Sequence, residues 1–98
     1  MIGSLPMATS KIIKIQTDVL FQEVRGETVL LNLDNESYFG LDETGTFFWK
    51  LLQENSDFQK VFEIMLDEYE VNARQLKADL DNLVKELLEA GLIEISEE

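Results

Sequence analysis

The stretch "LNLDNESYFGLDETGTFFWKLL", residues 31–52, decides how the chain is read. Apolar residues alternate at Leu31 and Leu33, as on a half-buried strand, and the run stops at Asp34-Asn35. Both of those side chains satisfy nearby backbone groups and tolerate left-handed conformations, so the dipeptide predicts a turn. "ESYFGL" after it is short enough for another strand, and a capping residue, Asp42 or Thr44, leads into a helix from about Glu43. "FFWKLL" in that helix is apolar at five of its six positions. Such a helix is either sandwiched between other elements or partly open to a partner.

Upstream, "VLFQEV" from Val19 is rich in strand formers, Gly26 marks a turn, and "TVLLNL" places Val29, Leu31 and Leu33 on one face. The three predicted strands form an antiparallel meander. Downstream, Ser56 or Asp57 can cap a helix whose stripe is Phe58, Val61, Phe62, Met65, Leu66 and Tyr69. The last helix has the clearest bounds. Asn72 and Gln75 stand at capping-box spacing, Val71 and Leu76 at hydrophobic-staple spacing, and Leu76, Leu80, Leu83 and Leu87 give the apolar face. Gly91 suits the left-handed position that ends a helix, with Leu92 folding back towards Leu87, and "LIEI" follows as a short extended tail. The reading is an α+β domain: a three-stranded antiparallel meander followed by three helices, winged helix-turn-helix-like. It assigns residues 1–18 to a flexible N-terminal tail and 19–95 to one domain.

The 98 residues allow a single core, and 45% hydrophobic with 29% charged residues is a globular composition. The net charge is −12, with four basic and seven acidic side chains in residues 1–53 against four and thirteen in 54–98. Phosphate backbones are repelled by such a surface. The third predicted helix, which would enter a DNA groove in a winged-helix protein, carries Asp79, Asp81, Glu86 and Glu89 against Arg74, Lys77 and Lys85. Nucleic acid is therefore not the expected partner. The chain has no cysteine and no histidine, which removes disulfides, thiolate chemistry and the commonest metal ligand and general base. "DNESYFGLDE" lacks the ligand alternation and central glycine of a calcium loop, and the five glycines form no phosphate-binding loop. Neither catalysis nor a cofactor is expected. No apolar run reaches the roughly eighteen residues of a membrane span, and "MIGSLPMATS" lacks the basic start and apolar centre of a signal peptide, so the expectation is a cytoplasmic protein with no membrane partner.

A binding module remains. A meander of three strands has two edges, each with unpaired backbone groups on which another chain can be templated. The third strand is the better candidate, since a peptide beside it gains main-chain hydrogen bonds while a neighbouring groove selects side chains. Phe39, Leu41, Phe48, Leu51 and Leu52 are expected to fill the interior, and Tyr38, Phe47 and Trp49 to form an exposed patch.

Three features in this order carry a resemblance. They are Asp-x-x-x-Tyr-Phe-x-Leu-Asp-x-x-Gly from Asp34 to Gly45, Trp49 in the following helix, and Ala78-Asp79-Leu80 followed by Leu-x-x-Ala-Gly-Leu-Ile ending at Ile93. Over about residues 19–93 the chain resembles the family of pyrroloquinoline quinone (PQQ) synthesis protein D. Its members are also known as the precursor-peptide recognition elements of ribosomally made, modified peptides (RiPPs). The resemblance implies that the leader segment of a precursor peptide lies along the third strand and packs between that strand and the third helix. The attached core is then presented to a modifying enzyme: a radical S-adenosylmethionine enzyme, a cyclase or a leader peptidase. Carried onto this chain, the strand contacts are Ser37, Tyr38, Phe39 and Gly40, and the groove wall is Leu76, Asp79, Leu80 and Leu83. The net charge disfavours an acidic leader unless Lys50, Arg74 and Lys77 offset it locally, so the leader is expected to be basic or mainly apolar where it docks. The alternative function is a winged-helix-like regulatory or structural module that pairs with a protein regulator or, as a homodimer, with a second copy.

Overall fold

The computed structural model describes residues 11–97. In chain order the elements are β1 (Lys11–Ile15), β2 (Val19–Val24), β3 (Glu27–Asn32), β4 (Ser37–Leu41), α1 (Glu43–Glu54), α2 (Phe58–Glu68), α3 (Ala73–Glu89) and β5 (Ile93–Glu97). β2, β3 and β4 form the antiparallel meander, in that order. β2 and β3 are joined by a two-residue turn at Arg25 (φ 57°) and Gly26 (φ 84°). Positive φ at both positions gives the turn whose twist matches the flanking strands.

The assignment of residues 1–18 to a flexible tail is corrected at Lys11–Ile15, which pairs along its whole length with β5, from Lys11 opposite Glu97 to Ile15 opposite Ile93. Residues 1–10 lie outside the described residues. The ribbon of β1 and β5 is tied to the helices by Ile13, whose N–H donates to the carbonyl of Ser56 at 2.8 Å and whose side chain is 1% exposed. The same pairing turns "LIEI" from an extended tail into a paired strand.

The helices start and stop where short-range chemistry directs. Asp42 caps α1 by accepting from the Gly45 N–H, Asp57 caps α2 by accepting from Gln59, and Asn72 caps α3 by accepting from Arg74 and Gln75. The capping box at α3 is half formed, because the Gln75 amide turns to Asp79 (2.9 Å) and not back to Asn72. At the other end Gly91 has φ 74°, its N–H donates to the Leu88 carbonyl, and the Leu92 N–H donates to the Leu87 carbonyl. Those two bonds are a Schellman motif.

α1 is the central helix. It packs on β3, β4, β1 and α2, which accounts for an apolar sequence on nearly every side. Phe48, Trp49 and Leu52 are buried, while Phe47 and Leu51 are half-buried. Phe47 meets Tyr69 edge to face, with ring centroids 5.8 Å apart. Trp49 thus belongs to the core and not to an exposed patch, at 1% exposure; its indole N–H has no hydrogen-bond partner among the described residues.

The sheet is two-sided in a way its pattern disguises. The inward face of β3 is Thr28, Leu30 and Asn32, all buried, while Val29 and Leu31 face outward beside Leu20 of β2 and Tyr38 of β4. The Thr46 hydroxyl bonds to that of Thr28 at 2.9 Å and ties α1 to the sheet. Asn32 ties the sheet to α3. Its amide nitrogen donates to the carbonyls of Ala90 (3.0 Å) and Gly91 (3.3 Å), and its amide oxygen accepts from the N–H groups of Asp34 and Asn35. The turn before β4 and the end of α3 are therefore held by one buried side chain.

Candidate functional site

β4 is an edge strand, with β3 on one side and no strand on the other among the described residues. The alternation of backbone groups identifies what that edge offers. In an antiparallel ladder a residue's N–H and C=O point to the same side, and successive residues alternate. Leu33 donates its N–H to Asp18 at 2.8 Å, towards β2, so Asn32, Leu30 and Thr28 face β4; the Asn32 carbonyl accepts from the Glu36 N–H on that side. Their partners Ser37, Phe39 and Leu41 face β3. The N–H and C=O groups of Tyr38 and Gly40 consequently point out from the open edge.

Beside this edge, between β4 and α3, lies a groove of about 430 Å³. Phe39 and Leu83 supply its accessible apolar surface over the buried Leu41 and Leu80, and Asp42, Asp79 and Glu86 its carboxylates; Gly40, Thr44 and Gly45 complete it. α3 reaches the groove with one flank. At about 100° per residue, Asp79, Leu83 and Glu86 fall within about 60° of one another, beside the buried stripe. That stripe is Leu76, Leu80, Val84 and Leu87; Val84 takes the core position expected of Leu83, which is half-buried at the groove. Lys77 and Asp81 lie on the opposite flank.

Of the residues singled out from the sequence, the groove brings together Phe39, Gly40, Asp79, Leu80 and Leu83. Ser37 and Tyr38 lie on β4 outside its lining, with the Tyr38 side chain on the outward face of the sheet at 73% exposure, and Leu76 is buried in the core at 4%. Leu41, Asp42, Thr44, Gly45 and Glu86 line the groove in addition to the residues that the sequence points to. Glu86 has a legible signal, three residues after Leu83 and seven after Asp79, which keeps all three on one flank.

Of the cations expected to offset local acidity, Lys50 and Lys77 are engaged elsewhere. Lys50 pairs with Glu23 at 2.7 Å and Lys77 with Asp81 at 2.7 Å, while Lys11 stands 3.8 Å from Asp81 with its ammonium 4.7 Å from the centre of the Phe58 ring. Arg74 does not line the groove. Among the described residues no group of three or more Asp or Glu is placed to hold a metal ion, and no helix is long and apolar enough to cross a membrane.

With the open edge and its groove in view, the comparisons with known proteins are specific. The family model described as coenzyme PQQ synthesis protein D, PqqD, matches residues 27–93. This chain belongs to the PqqD family. The match begins at β3 and ends at the first residue of β5, so it holds β4, α3 and the groove between them. Among solved structures, that of TbiB1 in complex with the TbiA(beta) leader peptide is similar, with 32% identity and a TM-score of 0.78 over 83% of this chain and 94% of that one. No curated protein matches the sequence.

Proposed function

We propose that the chain is a non-catalytic adaptor of RiPP biosynthesis, for PQQ or another modified peptide. It binds the leader segment of a precursor peptide and presents the attached core to a modifying enzyme in the cytoplasm. The observation that carries this reading is the open edge of β4 beside a groove with an apolar floor and an acidic rim, in a chain of the PqqD family similar to TbiB1, whose structure is in complex with a leader peptide.

The leader adds to β4 as a fourth strand. The outward N–H and C=O groups of Tyr38 and Gly40 give it main-chain hydrogen bonds, and alternate side chains descend between Phe39 on one wall and Leu83 on the other, above the buried Leu41 and Leu80. Ordering a flexible peptide costs entropy, so affinity rests on those few apolar anchors. The modifying enzyme, of the radical S-adenosylmethionine, cyclase or leader-peptidase class, meets the core as a tethered group at an effective concentration of about millimolar. The outward face of the sheet, with Leu20, Val24, Val29 and Tyr38 exposed, stays accessible to that enzyme when the groove is filled.

The test is calorimetric titration of the protein with the leader peptides encoded beside its own gene. Micromolar or tighter binding to one of them, with a negative heat-capacity change, is expected. A folded protein that binds none of them and changes mass with concentration would support the self-pairing module instead.

A further inference from the structure

We infer that the groove selects a cationic leader, one that carries a lysine or arginine on the groove-facing side of the added strand, next to its apolar anchor. The inference rests on the leader-binding reading and adds the chemistry of the occupant.

The polar rim of the groove is of one sign. Asp42, Asp79 and Glu86 are its charged members. Each accepts a hydrogen bond only from an uncharged donor: Asp42 from the Gly45 N–H at 2.8 Å, Asp79 from the Gln75 amide at 2.9 Å, and Glu86 from the Asn82 amide at 3.3 Å. Among the described residues the ion pairs are Lys11 and Lys77 with Asp81 and Lys50 with Glu23, so none neutralises the rim. The carboxylate that two lysines attend, Asp81, is on the other flank of α3.

An apolar strand docking alone would cover the floor and partly dehydrate those carboxylates without compensating them, and a leader aspartate or glutamate there would add repulsion. A leader lysine or arginine satisfies both requirements: its stem lies on Leu83 and its head reaches the rim. The spacing agrees. Asp79 and Glu86 are about 10 Å apart along the helix axis, with Leu83 between them. Groove-facing residues of an added strand recur about every 6.7 Å, so one apolar anchor at Leu83 leaves its groove-facing neighbours within side-chain reach of the two carboxylates. The selected pattern is apolar-x-basic or basic-x-apolar.

The experiment is selection of a displayed library of random twelve-residue peptides on the full chain, with Tyr38→Pro as the counter-selection for strand addition. The expected winners carry lysine or arginine two residues from an apolar anchor. Their affinity falls about threefold to tenfold at low salt in the Asp79→Asn/Glu86→Gln variant, and the difference closes near 1 M salt, where the Debye length is about 3 Å. Changing the peptide's basic residue to glutamine then weakens binding to the wild type and not to the variant. Winners that need the β4 edge but carry no basic residue, or that bind the variant equally well at low salt, would overturn the inference and leave leader binding standing. A library with no winner that depends on the β4 edge would overturn both.

Discussion

Replacing Tyr38 by proline separates the two sides of β4. Tyr38 stands opposite Leu31 at a position whose N–H points away from β3, so proline there removes no bond of the ladder. Proline is tolerated on edge strands at such positions. The outward donor is lost, and the pyrrolidine ring occupies the line along which a partner strand approaches. A leader carbonyl left without its donor costs about 1–3 kcal/mol, which is about fivefold to 150-fold in affinity. The side chain lost with the substitution is controlled by Tyr38→Ala, which keeps the N–H, and the two variants should differ in leader affinity by that factor. Phe39→Pro is the opposite case, since the Phe39 N–H faces β3; it should disrupt the sheet itself. Fluorescence anisotropy with a labelled leader peptide measures affinity, and thermal unfolding by circular dichroism measures the fold. Equal affinities for the proline and alanine variants, both folded, would refute the assignment of Tyr38 to the binding edge.

Other expected outcomes concern the frame that holds the groove open. Ile13→Ala should destabilise the fold by about 2–5 kcal/mol in urea unfolding, as a fully buried position does and a tail residue does not. Asn32→Ala removes four hydrogen bonds, two from Asn32 to the end of α3 and two to it from the turn before β4; a loss of about 2–4 kcal/mol is expected, with weaker leader binding in the fraction that remains folded. Gly91→Ala forces a side chain into φ 74° with its Cβ 3.0 Å from the Asn32 amide nitrogen, and thermal unfolding should report a loss of about 1–3 kcal/mol.

The meander, the three helices and most of their ends are legible in the sequence because the signals are short-range. Asp34-Asn35 marks the turn, although its left-handed residue is Glu36 (φ 60°) and its side-chain acceptors are Asn32 and Asn35; Asp42 and Asn72 cap their helices, and Gly91 ends α3. What escapes such reading depends on partners far along the chain. β1 is five residues, and its strand character is completed only by β5 at the other end of the sequence. Trp49 looks like a candidate for exposure because a helix apolar on all sides can be either sandwiched or open, and only the arrival of β1 and α2 decides between them. Asn32 sits in an alternating strand pattern where a polar residue normally marks the solvent face; here Leu31 and Val29 face outward and Asn32 inward, because its amide is consumed by the end of α3. In the groove, Phe39, Asp79 and Leu83 follow from the family resemblance, whereas the uncompensated acidity of the rim emerges only when Lys50 and Lys77 are seen to be paired elsewhere.

A leader that adds as a strand to β4 must change amide hydrogen exchange along that edge, which NMR reads residue by residue. With a bound leader peptide, new protection is expected at the Tyr38 and Gly40 amides and little change at Phe39, whose N–H already faces β3. Leader binding that leaves Tyr38 and Gly40 exchanging as in the free protein, with protection appearing on another element, would contradict strand addition to β4.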